Sequence, residues 1–202
     1  MIILVASVVL GTGVVIYGTS LFQTSGQQEA ISTQGIKVWV NSTDSAGVAW
    51  GAAGVRNSGD KLVSVDSILV RGASVPFTSW YVDKNQSAIT TENFQSQYNM
   101  TSMYQNGTMK DDTYSSNNSL CTKVSGSVLV IDFDGSAPGT TKPSLCLIQV
   151  SGPTSLNPGE RLIVYFRVPN GVLSAVDSGS ASSVSIFAGK TGAPTSITIG
   201  NP

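Results

Sequence analysis

The first charged side chain in this sequence of 202 residues is Glu29. The residues before it, MIILVASVVLGTGVVIYGTSLFQTSGQQ, contain no Lys, Arg, Asp or Glu. Fourteen of the first 22 are large and apolar: Met1, Ile2, Ile3, Leu4, Val5, Val8, Val9, Leu10, Val14, Val15, Ile16, Tyr17, Leu21 and Phe22. Wound as a helix, they would leave no polar stripe, and a helix that is apolar all round must be buried in protein or lipid. At the helical rise per residue the run would extend about 33 Å, enough to cross a bilayer.

Small residues interrupt the run at Ala6, Ser7, Gly11, Thr12, Gly13, Gly18 and Thr19. Each glycine costs a helix interior about 1 kcal/mol relative to alanine, so three of them require a packing reason or a bend. Close approach of neighbouring backbones is such a reason. A secretory signal would carry a basic flank before the apolar stretch, and a simple anchor would carry one at its cytoplasmic end. Neither is present before Glu29. Both absences are accounted for if a basic leader has been removed and Met1 is a processed terminus. The expectation is therefore an assembly helix over residues 1–35, polar in its last third. Its packing surface comprises the apolar side chains from Ile2 to Phe22 together with Gly11, Gly13 and Gly18.

After Gly35 the periodicity changes. Ile36, Val38 and Val40 alternate with Lys37 and Trp39, as expected of a strand with two different faces. Further strand-like runs are Val48–Val55, Lys61–Arg71, Ser127–Phe133, Leu145–Val150, Arg161–Val168, Val184–Phe187 and Ser196–Ile199. Asn57-Ser58-Gly59-Asp60, Asp134-Gly135, Asn157-Pro158-Gly159 and Asn170-Gly171 punctuate them as turns. The expected fold class is α+β: a long hydrophobic N-terminal α-helix followed by an antiparallel Ig-like β-sandwich head over residues 36–202. Residues 79–118 lack a clear period and read as a polar insertion.

The composition excludes several chemistries. Charged residues are 11% of the chain, net charge is −1, and Ser and Thr supply about a quarter of all residues. Such a surface has no long-range field to attract nucleic acid. There is no histidine, which removes Ser-His-Asp and Cys-His catalysis and His-containing zinc sites. Asp132 and Asp134 lack the further acidic ligands of a calcium loop and read as a solvated turn. Asp111 and Asp112 read as a charged loop tip. No catalytic residues, cofactor or metal are expected.

Cys121 and Cys146 form one even pair, read as a disulfide worth about 3–4 kcal/mol in the chain-entropy model. N-x-[ST] sequons occur at Asn41, Asn85, Asn99, Asn106 and Asn117, four of them between residues 85 and 119. They mark a glycosylated outer surface if the cell carries out the modification. Trp39 and Trp50 read as core residues. Tyr81, Tyr98, Tyr104 and Tyr114 are the better candidates for outward contacts.

The apolar run Ile2–Phe22, its polar exit Gln23–Gly35, and the head segments Gly54–Gly72 and Leu156–Val168 together resemble the archaeal type IV pilin-like superfamily, which includes adhesion pilins and archaellins. Val5 stands where many bacterial pilins carry an acidic residue, a departure common among archaeal members. The resemblance implies a homopolymer with helices bundled in its core and heads outside, forming an extracellular cell-surface filament for adhesion or motility. It also implies residence in the membrane before assembly, cleavage by a prepilin-type peptidase and handling by a pilus assembly machinery. The alternative is an extracellular binding domain tethered to a membrane.

Overall fold

A computed structural model describes residues 12, 14–15, 29–40, 48–84, 112–113, 127–131 and 145–200. The strands among them are β1 (Ile31–Val40), β2 (Ala49–Asn57), β3 (Val63–Val70), β4 (Ala73–Ser74), β5 (Trp80–Asp83) and β6 (Asp112–Thr113). They continue with β7 (Ser127–Ile131), β8 (Leu145–Gln149), β9 (Thr154–Leu156), β10 (Arg161–Val168), β11 (Ala181–Ala188) and β12 (Thr191–Thr198). A seven-stranded sheet has the order β1-β2-β10-β5-β8-β7-β6, and a five-stranded one runs β12-β11-β3-β4 with β9 also on β3. Every strand pair is antiparallel.

The α+β expectation is overturned. Where the N-terminal helix was expected to reach Gly35, strand β1 already begins at Ile31. Helical backbone among the described residues is confined to Thr12, Val14 and Val15 and to the 3-10 turns Phe77–Ser79 and Ala175–Asp177. No helix among the described residues is long and apolar enough to cross a membrane. The fold they define is all-β. The physical reason is local: Ile31 and Thr33 are β-branched and favour extended backbone. As a strand, Ile31 lies against the core and Ser32, Thr33 and Gln34 pair with Arg56, Val55 and Gly54. A helix to Gly35 would forfeit that ladder. Most of residues 1–28 lie outside the described residues.

The two sheets pack face to face. Val38, Val40, Ala53, Val55, Leu162, Val164 and Phe166 of the larger sheet meet Val65, Ile68, Val70, Val184 and Ile186 of the smaller one in a single buried cluster. Burying each such Val, Leu, Ile or Phe side chain contributes about 1.5–3 kcal/mol. Packing is tight at Gly51: a β-carbon there would stand 2.3 Å from the Phe166 ring. A register shift between Gln34 and Lys37 marks a bulge in β1. Gly35 supplies the left-handed backbone there, with φ of 62°.

One flank of the sandwich is joined across the sheets. Trp39 forms a parallel bridge with Gly200. The Val40 amide donates to the Gly200 carbonyl at 3.0 Å, and the Gly200 amide donates to Val38 at 2.8 Å. On the smaller sheet, the β3–β4 hairpin turns through Arg71 and Gly72, both with positive φ, the signature of a two-residue type I′ connection.

Candidate functional site

Three regions bear on function: the pole where the chain enters β1, a groove at the second flank, and the far face of the larger sheet. At the pole, the Ala30 carbonyl accepts from the amides of Ser58 and Gly59 at 2.9 and 3.2 Å. The Glu29 carbonyl accepts from the Thr191 hydroxyl at 3.2 Å. Asn57 organises this end. Its side chain is fully buried and donates to the carbonyls of Lys61 and Leu156 at 2.7 and 3.0 Å. Its Oδ1 accepts from the Gly59 amide at 3.0 Å. One amide group thus ties the β2–β3 turn to the end of β9. An amide can do this where a carboxylate cannot, because two of the three bonds require a donor.

The second flank carries a groove between the larger sheet and β9. Val82, Asp83, Lys84, Ile148, Val150, Pro153, Thr154 and Ser155 line an open groove of about 490 Å³. The Lys84 ammonium donates to the Ser155 carbonyl across it. The groove walls are mainly apolar and hold no nucleophile paired with a base, so they offer no recognisable reaction chemistry.

The far face of the larger sheet points away from the smaller sheet. Strand alternation puts Trp39, Trp50, Ala52, Tyr81, Leu129, Leu147, Ile163 and Tyr165 on it. These residues form a second buried cluster. Tyr165 is wholly buried, and burial pushes its phenol above the ordinary tyrosine range. Trp50 and Tyr81 rings lie 6.0 Å apart at a tilt of 38°. Basic side chains frame this apolar centre: Lys37, Arg56, Arg161 and Arg167 are exposed and occupy the same face.

Among the described residues, no group of three or more His, Cys, Asp or Glu side chains is placed to hold a metal. An ion pair joins Arg71 to Asp177 at 2.7 Å. The Arg71 guanidinium, the Ser174 amide and the Ser174 hydroxyl together lower the Asp177 carboxyl to about 2. This cluster fastens the β3–β4 turn to the 3-10 turn before β11 and is structural.

The expected site residues fall out as follows. Of the apolar run, Val14 and Val15 are described and are 71% and 64% exposed; Ile2–Leu10, Gly11, Gly13, Ile16–Gly18, Leu21 and Phe22 lie outside the described residues. So do Asn41, Asn85, Asn99, Asn106, Asn117, Asp111, Asp132 and Asp134. Cys146 stands in β8, and Cys121 lies outside. Trp39 and Trp50 are buried as core residues. Tyr81, expected to make outward contacts, is only 3% exposed and packs in the second buried cluster. Sequence reasoning missed Asn57, whose role depends on contacts distant in the chain. Tyr165 was missed as well, although its place in an unbroken apolar strand, LIVYF, signals burial on both faces.

No family model matches the chain, and no curated protein matches it.

Proposed function

We propose that this chain is the structural subunit of an extracellular filament of the type IV pilin-like kind. Copies assemble through the apolar N-terminal segment, and the β domain faces outward. The carrying observation is the uncharged run before Glu29, joined to an all-β domain at one pole. In the single chain Val14 and Val15 of that run are exposed, and burial among copies removes such surface from water. Fourteen large apolar side chains supply tens of kcal/mol as an upper bound, at about 1.5–3 each.

The role is architectural rather than catalytic, serving adhesion or motility. The membrane holds the subunit before assembly, a prepilin-type peptidase trims it, and a pilus assembly machinery inserts it. Asn57 and the Ala30 carbonyl fix the entry to β1 at this pole.

Electron microscopy of material sheared from cells tests this reading. Helically ordered fibres composed of this chain are expected, and a chain beginning at Glu29 should remain monomeric and soluble. Fibres built by that truncation would refute the role of the segment. Recovery of the full chain only as isolated membrane-bound molecules would favour the tethered binding domain instead.

A further inference from the structure

The two sheets are of unequal width, seven strands against five, and the mismatch surfaces at the second flank. Val65 of β3 pairs with Ala188 of β11 on one side and with Thr154 of β9 on the other. Strand β9 therefore stands at the margin of the smaller sheet, and among the described residues it pairs with β3 alone. In the larger sheet Val82 and Ile148 stand directly opposite each other on β5 and β8, so their side chains share the face turned toward the smaller sheet. Val82 is 7% exposed and belongs to the core between the sheets, whereas Ile148 is 40% exposed. The smaller sheet covers β5 and stops short of β8. The groove of about 490 Å³ lies at that step.

We infer that this groove receives an extended segment of a partner protein, added as a strand along β9. Its floor has strand spacing: Ile148 and Val150 are two residues apart, as are Val82 and Lys84. That interval matches the alternate side chains of an extended chain laid over it. Its wall is a strand margin, where Thr154 and Leu156 are buried while Pro153 and Ser155 are exposed. A backbone acceptor on the wall is open to the groove, since the Lys84 ammonium reaches the Ser155 carbonyl from the opposite side.

The ammonium stands where an N–H of an added strand would donate. On binding, that N–H replaces it at the Ser155 carbonyl, and the lysine turns to solvent. A helix could not make this exchange, because its amides are already committed within itself. Strand addition draws affinity from main-chain hydrogen bonds and specificity from alternate side chains. The segment that fits has aliphatic residues at every second position, which cover Ile148 and Val150, and no charge toward the floor, where burial would be costly. This site is independent of filament assembly through the N-terminal run.

The test titrates a capped, fluorescent peptide of alternating valine and threonine into the full-length chain and follows its anisotropy. A saturable rise is expected. Ile148→Asp, at an exposed position, should abolish it. Lys84→Met keeps the apolar stem, removes the competing donor and should tighten binding severalfold. Two further peptides carry methyl groups on the backbone nitrogens of their threonines or of their valines. Whichever set faces β9, its methylated version should bind about tenfold more weakly, as one or two hydrogen bonds are lost. Absence of saturable binding, as when the chain itself or a second copy fills the groove, would overturn the inference. So would binding that Ile148→Asp leaves intact, which puts the peptide elsewhere, or equal affinity for all three peptides, which makes the groove a plain apolar cleft. Should Ile148→Asp fail to fold, the methylated peptides and Lys84→Met decide.

Discussion

Strands β10 and β11 lie in different sheets of one domain and solve the same packing problem differently. In β11 buried and open positions alternate strictly: Ser182, Val184, Ile186 and Ala188 face the core, while Ala181 and Ser183 face solvent. In β10 every residue from Leu162 to Phe166 is buried, because both faces of its sheet are dry. Strand β2 behaves like β10, with AWGAAGV buried throughout. The difference teaches that the two sheets of one domain can bury different numbers of faces. The smaller sheet is a wall with one open face, and the larger one is buried on both of its faces.

The largest effects should come from testing whether both faces of the larger sheet are equally dry. Phe166→Ala on the inner face and Tyr165→Ala on the far face should each destabilise by about 3–5 kcal/mol in urea unfolding. A Tyr165→Ala loss below about 1 kcal/mol would mean that the far face is only superficially covered and would collapse the comparison. Asn57→Ala removes a group that serves the ends of both sheets. It removes the donor to the Lys61 and Leu156 carbonyls, while the Gly59 amide keeps its bond to Ala30, so a loss of about 2–3 kcal/mol is expected in the same assay.

Gly51→Ala places a methyl group against Phe166 and should cost about 1–3 kcal/mol by overpacking. The double variant with Phe166→Leu should lose less than the sum of the two single changes, since the residues touch. Equal losses added together would show that the ring yields freely. On the outer wall the effects are small. Ser183→Lys should stay within about 0.5 kcal/mol of the parent.

The wall does carry one pH-sensitive contact. Asp177 is held at about 2 by Arg71 and Ser174, below the roughly 3.9 of an unfolded aspartate. Its contribution is fully present above about pH 4 and is lost as pH falls toward 2. Thermal melting across that interval should show a fall in Tm that Asp177→Asn lacks.

How much of this was legible in the sequence depends on how local the cause is. The runs at Lys61–Arg71, Leu145–Val150 and Arg161–Val168 announce β3, β8 and β10 because β-branched residues are bounded by Asn, Gly and Pro. Strand β5 was hidden inside the supposed insertion. Four residues, Trp80 to Asp83, are too few to show a period, and what makes them a strand is pairing with β10 and β8. The start of β1 was misjudged because Gln27, Gln28, Glu29 and Ala30 favour helix on intrinsic propensity. Pairing with β2 outweighs that preference from Ile31 onward. The pole built around Asn57 was visible only as a turn, since one of its bonds crosses 99 residues of sequence.

The bridge between Trp39 and Gly200 has a mechanical consequence. The chain enters β1 at Ile31, and Gly200 is fastened near the other end of that strand. Tension drawn through residue 29 therefore runs along the strand axis. The hydrogen bonds between β1 and β2 would be sheared together rather than peeled one by one. A domain loaded this way resists pulling through β1 as a rivet line resists sliding.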